Sequence, residues 1–392
     1  MTAPVALEPA PAVHDGGYFG GTFRAVSPER TWERVRPHLA RAGITRVADV
    51  TGLDDIGVPV WQAVRPNSRN ITVSQGKGVS PVLAKVSAVM ESFELHCAED
   101  TVLPTRRASF AEMAEAAGDA AGLPLLAHHA LTPALVTDWC EVDDLVGGRR
   151  MWWPKDAVTV NYEVLNRWRP PLVRVNSNGV AGGNTLDEAT LHALLELIER
   201  HSLARARAVG LPWHEARSPL PGSAGPAAEV CGRILDAGAV LQCLDVTSPA
   251  LGVPTFVARV WSPSLPRWFS GSGSHLDAEV ALSRALTEAV QSRVTAIAGA
   301  RDDIAAARYD FARAAPDLPA APACRTDDLV TDHDGRLSPG RGISGALDTL
   351  LERCAADGTP VVRADLTLPR YGIPVVRVAA PGLDFAERHG HG

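Results

Sequence analysis

The first eighty residues show the pattern of one helix followed by three strands. A helix is predicted to begin at Pro28, since proline is favoured at the first helical position, and to end at Gly43. Strand patterns follow at residues 46–50, 58–64 and 70–75. Residues 100–170 are uneven and rich in Pro and Trp, which predicts loops with short helices, and residues 312–324 predict a surface connection.

Apolar residues at helical spacing recur later in the chain, and there they include paired acids. The segment LHALLELIERHS (191–202) is mostly apolar, but it contains Glu196 and Glu199 three positions apart. That spacing places both carboxylates on one face of a helix. The pattern therefore predicts a helix that carries two like charges side by side in a largely buried segment.

This acidic helix belongs to an internal repeat of three segments that align without gaps, at residues 84–94, 189–199 and 281–291. Each segment has Ala at its first and fifth positions, Glu at its eighth, and Glu or Gln at its eleventh. The pairs are Glu91 with Glu94, Glu196 with Glu199, and Glu288 with Gln291; one turn earlier lie Ser87, His192 and Arg284. The alanines would let another backbone or a ligand approach closely.

A loop rich in small residues precedes each of the three helices. The second and third loops have the chemistry of helix starts, with Asn184 and Asp277 as candidate N-caps and acids close behind. Backbone N–H groups of glycine-rich loops at helix starts can bind phosphate. The repeat therefore combines an anion-binding loop with a pair of acids.

Composition and charge exclude some classes of function. The chain has 392 residues, is 46% hydrophobic by type and carries a net charge of −7 with no block of like charges, which argues against a general nucleic-acid or membrane-surface binder. No apolar stretch approaches the length of a membrane span, and the N-terminus lacks the pattern of a signal peptide. We expect disordered tails at 1–17 and 386–392 and one domain between them, at 18–385.

The six cysteines lie far apart, and no pair has C-x-x-C spacing. Neither a zinc site nor a redox pair is therefore indicated. Buried thiols in a reducing cytoplasm are the predicted state.

A single Glu-x-x-Glu pair on a helix usually lies on a face exposed to solvent. Three copies at the same positions of a repeat favour a functional site instead. Buried like charges repel, and one takes up a proton unless cations neutralise them. Ligands that are all oxygen favour Mg²⁺, which readily accepts phosphate oxygens as well. Since Lys77 and Arg284 supply positive charge, the pattern indicates an ATP–Mg²⁺ site. The segment around Lys77 is not a Walker A loop, because Gly78 follows Lys77 and the glycine spacing upstream differs from that of the Walker A motif.

Two other classes of protein stay open on these residues alone. A non-catalytic nucleotide-binding scaffold would not need five metal-binding carboxylates. A di-iron carboxylate oxidase would need Glu-x-x-His pairs, whereas the second positions here hold Glu, Glu and Gln.

The repeat with its loops resembles the YcaO family of ATP-dependent enzymes that activate peptide backbone amides. SAVMESFE (87–94) is similar to the family's first acidic motif, residues 177–201 to its second and ALTEAVQSR (285–293) to its third. The resemblance extends over residues 20–385. It implies an α/β YcaO-type fold with mixed sheets, in which the three acidic helices surround a nucleotide.

The resemblance also implies roles for individual residues. Glu91, Glu94, Glu196, Glu199 and Glu288 are the expected Mg²⁺ ligands, and Arg284, Glu288 and Gln291 the expected catalytic groups. The expected nucleotide contacts are Ser87, Asn184, Glu188, Arg200, Arg284 and Arg293, to which the chemistry of Lys77 adds that residue. At Ala181, some members carry a nucleotide-binding Ser that is absent here.

Residues 20–78 and 295–303 most resemble YcaO proteins that work beside a TfuA-like protein and are associated with peptide thioamides. The chain also ends without the Pro-x-Pro-x-Pro tail of many azoline-forming members. The implied activity is phosphorylation of a backbone amide oxygen in a ribosomally made precursor peptide, giving a thioamide with a TfuA-like or separate peptide-binding partner. Azoline formation by a cyclodehydratase and macroamidine formation are the alternatives, and whether the chain forms a homodimer is left open.

Overall fold

The computed structural model describes residues 16–101, 103–117, 131–160, 172–173, 175–218, 225–301, 304, 324–325, 328–331, 333 and 341–383. Over these residues the chain has a mixed α/β fold, which confirms the predicted class. The predicted tails lie outside the described residues except for Gly16 and Gly17, and Gly17 already pairs in the first strand. Of the predicted connection at 312–324, only Cys324 is described, in a short strand.

The N-terminal elements follow the sequence pattern closely. A small hairpin of β1 (Gly17–Tyr18) and β2 (Phe23–Arg24) leads into helix α1 (Pro28–Val35), and an antiparallel sheet follows with β3 (Arg46–Asp49), β4 (Val60–Val64) and β5 (Val73–Lys77). The α-helix is shorter than predicted and continues as a 3₁₀ turn over Arg36–His38. Pro37 explains the change, because it lacks the N–H that the next α-helical hydrogen bond requires.

A six-stranded sheet occupies the middle of the fold, in the order β6-β7-β15-β16-β9 with β8 paired to β7. Its strands are β6 (Thr105–Ser109), β7 (Val136–Asp144), β8 (Arg149–Pro154), β9 (Val180–Gly182), β15 (Val362–Asp365) and β16 (Val375–Ala379), with helices α3 (Phe110–Ala117) and α4 (Lys155–Val158) beside them. The prediction of loops over 100–170 is therefore wrong for β6, β7 and β8. The buried positions of β7, which lie on both faces of the strand, include the polar residues Thr137 and Asp144, so hydrophobicity alone does not reveal the strand.

A five-stranded sheet has the order β13-β12-β11-β10-β14. The strands are β10 (Arg217–Ser218), β11 (Val240–Asp245), β12 (Thr255–Ser262), β13 (Leu265–Ser274) and β14 (Cys324–Arg325), and the nearby helices are α6 (Pro226–Asp236) and α8 (Asp328–Thr331). Helix α9 (Gly342–Asp357) packs instead against α5 (Leu186–Val209). Five of the six cysteines, all but Cys324, are buried thiols that form no disulfide, and their burial agrees with the prediction. Within the described part of the chain, no helix is both long and apolar enough to cross a membrane.

Each predicted acidic helix follows a strand at the edge of a different sheet. The helices are α2 (Pro81–Asp100) after β5, α5 (Leu186–Val209) after β9 and α7 (Ala278–Ala298) after β13. Asp277 caps α7 as predicted, and its carboxylate accepts hydrogen bonds from Glu279 N and Val280 N. The cap of α5 is Thr185 rather than Asn184, since the Thr185 hydroxyl accepts the hydrogen bond from Glu188 N.

The repeated alanines let a strand backbone touch the helix backbone. A Cβ atom on Gly76 would lie 2.1 Å from Ala84 O and Ala88 N. A Cβ on Gly273 would lie 2.3 Å from Ala281 O, at the same place in the repeat. The close approach that the alanines predict is thus made by a glycine in the preceding strand.

The three strand–helix units form a closed ring. Strand β5 packs against α2 and α7, β9 against α5 and α2, and β13 against α7 and α5. Every repeat strand therefore touches its own helix and the helix of one neighbouring unit. This cyclic packing turns the acidic faces of all three helices toward one another.

The glycine contact gives a test of this packing. We expect Gly76→Ala to lower the free energy of unfolding by about 1–3 kcal/mol, because the added methyl group overlaps backbone atoms that cannot rotate away. Gly232→Ala on α6 is the matched control: nothing lies within 4 Å of its Cβ, so alanine should be neutral or slightly stabilising there. Urea unfolding curves of both variants measure the difference, and equal midpoints would contradict the packing.

Candidate functional site

The faces that the ring turns inward enclose a cavity of about 1320 Å³. It lies between α2, α5 and α7, and the hairpin of β1 and β2 covers one side. Single ligands usually occupy pockets of about 300–1,000 Å³. The cavity therefore has room for more than one small ligand.

Nearly all the residues singled out from the sequence line this cavity. They are Lys77, Ser87, Glu91, Glu94, Asn184, Glu188, Glu196, Glu199, Arg200, Arg284, Glu288 and Gln291. These side chains come from three segments of the chain, and the first and the last residue of the set are more than two hundred positions apart. The fold therefore brings the three repeated segments together in space.

Arg293 is the exception and corrects the predicted set. Its guanidinium donates to Asp54 Oδ1 over 2.9 Å and to Ser264 Oγ over 3.0 Å, and only 2% of the side chain is exposed. On a helix, a residue two positions after Gln291 points about 200° away from it. Arg293 therefore joins α7 to the turn after β3 and does not line the cavity.

The first acid of each repeat is anchored by a backbone N–H of its own unit. In all three cases the donor lies in, or next to, the strand that precedes the helix. The donor–acceptor distances are 2.9 Å from Gln75 N to Glu91 Oε2, 3.0 Å from Gly179 N to Glu196 Oε2 and 3.5 Å from Ser272 N to Glu288 Oε1. Such bonds hold a carboxylate in one orientation.

The second acid is anchored by the neighbouring unit instead. Glu94 on α2 accepts from Gly182 N of β9 over 2.8 Å, and Glu199 on α5 accepts from the Ser272 hydroxyl of β13 over 2.7 Å. Gln291 holds this position on α7, and its buried Oε1 has no hydrogen-bond partner among the described residues. The carboxylates are thus part of the ring that binds one unit to the next.

Burial and mutual repulsion raise the pKa of several of these acids. Burial first, and then the charges of Glu91 and Glu196, raise the pKa of Glu94 to about 8. Burial also raises the pKa of Glu91, while burial and the charge of Glu288 raise that of Glu199. Glu94 therefore holds a proton at neutral pH, and a divalent cation beside it would displace that proton.

Positive groups stand beside the acids. Although burial alone would raise the pKa of Glu288, Lys77, Arg200 and Arg284 outweigh it and lower that pKa, and Lys77 Nζ lies 2.7 Å from Glu288 Oε2. Arg284 Nη1 lies 3.5 Å from His192 Nε2. Burial and the nearby arginines hold the pKa of His192 well below its usual range, so this histidine is neutral.

Arg284 also has a buried Nε atom without a hydrogen-bond partner among the described residues. A buried guanidinium with an unused donor is suited to an anion such as phosphate. Together with Lys77, it makes one part of the cavity electropositive.

The N-terminal hairpin adds Arg24 to the cavity, a residue that lies outside the repeat. Glu188 accepts hydrogen bonds from Arg24 Nη1 over 3.3 Å, from Ala25 N over 2.9 Å and from Asn184 Nδ2 over 3.2 Å. Asn184 in turn accepts from the Thr31 hydroxyl over 3.0 Å. Glu188 and Asn184 therefore fasten the hairpin over the cavity, and Arg24 joins its lining.

The donor set fits Mg²⁺ bound together with phosphate. Among the described residues, no group of three or more His, Cys, Asp or Glu side chains is placed to hold a metal ion by itself. Mg²⁺ usually takes only one or two carboxylates and completes its shell with phosphate oxygens and water. The anchored acids beside the electropositive patch meet this requirement better than that of a metal held by protein ligands alone.

Comparison with known sequences identifies relatives over most of the chain. An uncharacterized protein of Mycobacterium tuberculosis is 41% identical over 378 residues, which are 93% of this chain and 83% of the relative. An uncharacterized protein from the tfuA 3′ region of Rhizobium leguminosarum bv. trifolii is 34% identical over 376 residues, 92% of this chain and 88% of that relative.

Solved structures share the fold. YcaO from Methanopyrus kandleri, bound with AMPPCP and Mg²⁺, superposes with a TM-score of 0.71 at 23% identity and covers 94% of each chain. A heterocyclase in complex with substrate and cofactor has the same TM-score and identity. The match covers 92% of this chain but 53% of the heterocyclase, so this chain spans about half of that protein.

The family model for the YcaO cyclodehydratase, described as binding ATP and Mg²⁺, matches residues 75–384. This range includes all three acidic helices, the strands β9 and β13, and β5 from Gln75 onward. The match, the relatives and the shared fold agree with the resemblance of the acidic motifs, and the chain belongs to the YcaO family.

Proposed function

We propose that this chain is an ATP- and Mg²⁺-dependent enzyme that phosphorylates a backbone amide oxygen of a peptide. The observation that carries the proposal is the ring of five carboxylates, anchored by strands of three units and facing one cavity beside Lys77 and Arg284. The AMPPCP and Mg²⁺ bound to the Methanopyrus kandleri protein and the description of the family support it.

The acids and the cations of the cavity would bind different parts of the ATP–Mg²⁺ complex. Glu91, Glu94, Glu196, Glu199 and Glu288 would hold Mg²⁺, which would neutralise charge on the phosphates when bound. Arg284 and Lys77 would bind phosphate oxygens, with Ser87 and Arg200 beside them. Asn184 and Glu188 would act by holding the hairpin with Arg24 in place.

The reaction would proceed through addition and elimination. A nucleophile adds to the amide carbon, and the electrons of the carbonyl bond move to the oxygen. That oxygen attacks the γ-phosphorus, and ADP leaves. The carbon–oxygen bond then breaks with loss of phosphate, while a lone pair on sulfur or nitrogen forms the new double bond to carbon and that atom releases its proton. Phosphorylation is needed because the oxygen of an amide is otherwise a very poor leaving group.

The catalytic residues would work by position and charge. Arg284 would stabilise the transferring phosphoryl group through its planar guanidinium, since phosphoryl transfer depends mainly on positioning and charge neutralisation. Glu288 would keep Lys77 beside the phosphates through their 2.7 Å contact. Gln291, with its unpaired amide oxygen in the cavity, would accept a hydrogen bond from the peptide or the nucleophile.

The nucleophile that we favour is sulfide, which would make the product a thioamide. The relative from the tfuA 3′ region of Rhizobium leguminosarum bv. trifolii supports this choice, together with the resemblance of residues 20–78 to TfuA-associated proteins. A TfuA-like protein would then be the partner and a ribosomally made precursor peptide the substrate. The alternative is the same activation followed by attack of a peptide side chain or amine, to give an azoline or a macroamidine.

Substitution of the ring carboxylates tests the site. We expect Glu91→Gln and Glu199→Gln each to lower Mg²⁺-dependent ATP turnover by about 100-fold or more, since each removes charge that the metal and phosphates require. The melting temperature should not fall, because the amide oxygen of Gln can still accept the anchoring hydrogen bond and one repulsion is lost.

Glu229→Gln is the matched control for these variants. Glu229 also lies on a helix, but it is exposed and pairs with Arg233 at the surface, outside the cavity. Its turnover should equal that of the wild type. Wild-type turnover in both ring variants at saturating Mg²⁺ would overturn the assignment of the site.

The mass of the product distinguishes the chemistries. With a precursor peptide, ATP, Mg²⁺, a sulfide source and a TfuA-like protein, we expect the peptide to gain the mass difference between sulfur and oxygen at each site. Azoline and amidine closure would instead remove one water. An ATP-dependent loss of water without gain of sulfur would exclude the thioamide and leave amide activation standing.

A further inference from the structure

The cavity continues along α7 well beyond the acids. Ser283 and Ala296 both line it, and the thirteen helical steps between them span about 20 Å. Glu288 lies near the middle of this length. The acids therefore divide the cavity into one half toward the start of α7 and one half toward its end.

The half toward the start of α7 holds the groups suited to phosphate. Arg284 lies one turn before Glu288, close to His192, and Arg24 of the covering hairpin belongs to the same half. A nucleotide whose γ-phosphate lies at the acids would extend its remaining phosphates and base toward these groups. The other half would then be open to the second substrate.

The half toward the end of α7 has a different character. Strand β13 runs antiparallel to α7, with Gly273 against Ala281 and the Ser292 hydroxyl donating to Ser270 O over 2.9 Å. The earlier residues of β13 thus lie beside the last turns of the helix. The walls there include the apolar and aromatic residues Ile71, Trp268, Phe269, Ala296 and Ile304 and the cations Arg267 and Arg301.

Trp268 is held as a rigid part of this wall. The Arg259 guanidinium lies 4.1 Å from the centre of the Trp268 ring and 3.8 Å from that of Trp213, so it is stacked between two indoles. Arg259 Nε also donates to Gln242 Oε1 over 2.7 Å, and Gln242 is fully buried. Stacking on a cation fixes the plane of the Trp268 indole, and Trp268 lines the cavity from the face of β13 opposite to α7.

We infer that Trp268 is a specificity-determining residue for the peptide, on which an aromatic side chain close to the activated amide stacks. This inference rests on the proposed function, because it requires that the nucleotide occupy the half toward the start of α7. An aromatic pair contributes beyond its buried area, and a fixed partner loses little entropy on binding. The site therefore selects among peptides by the side chain that it places against the indole.

Three synthetic peptides test the inference with the intact protein. They are N-acetylated, C-amidated pentapeptides in which Phe, Asp or Gly is the central residue among glycines. With saturating Mg²⁺ and AMPPCP, NMR titrations should show that the Phe peptide binds about fivefold tighter than the others, the gain usual for an aromatic pair. Equal affinities for the three peptides in the wild type would overturn the inference without any variant.

Two tryptophan variants locate the preference. Trp268→Ala should abolish it, whereas Trp32→Ala should keep it, because Trp32 also stacks on a cation, Lys85, but does not line the cavity. A preference that survives in Trp268→Ala would overturn the inference. Trp268→Phe, which keeps a smaller ring, should retain part of it.

Nucleotide affinity, measured by calorimetry with Mg²⁺ and AMPPCP on the same proteins, separates this inference from the proposed function. Trp268→Ala should bind the nucleotide as the wild type does. A loss of tenfold or more would mean that the indole stacks on the adenine base, which would overturn the inference and keep the nucleotide site. Failure of the wild type to bind nucleotide would overturn the proposed function itself.

Discussion

Hydrogen bonds from strands to carboxylates are the interaction on which this site depends. Five glutamates face one cavity, where those that are ionised repel one another. In the first four along the chain, Glu91 and Glu196 are bound by their own unit and Glu94 and Glu199 by the next. The same bonds that orient the ligands therefore also close the ring, so fold and function are built from one set of contacts.

Small residues make those bonds possible. Gly76 and Gly273 bring the strands into contact with the alanines of α2 and α7, and only at that distance does a strand N–H reach a carboxylate on the helix. Larger residues at these positions would separate helix from strand and leave the acids without their donors. The repeated alanines and glutamates thus act together. The alanines set the distance between helix and strand, and at that distance the glutamates accept hydrogen bonds from the strand.

Local patterns allowed much of this to be predicted from the sequence, and tertiary contacts account for the rest. The three helices, their acids and the cap at Asp277 follow from spacing within a few residues. Arg24 could not be found in this way, since its partner Glu188 lies 164 positions away. Strand β7 was missed because polar residues fill some of its buried positions. Arg293 was expected at the nucleotide from the resemblance of its motif, but its partner Asp54 lies 239 positions away, so the local pattern could not show that the two meet.

The central claim is that the carboxylate ring binds nucleotide through a divalent cation, and proton release on binding tests it most directly. The measurement is calorimetry of AMPPCP binding at pH 7, with Mg²⁺, in two buffers of different ionisation enthalpy. Since Glu94 has a pKa of about 8 without a cation, it is protonated at this pH, and Mg²⁺ bound beside it should expel the proton. The account predicts Mg²⁺-dependent binding with net proton release. Equal binding without Mg²⁺, or binding with no proton released, would contradict it.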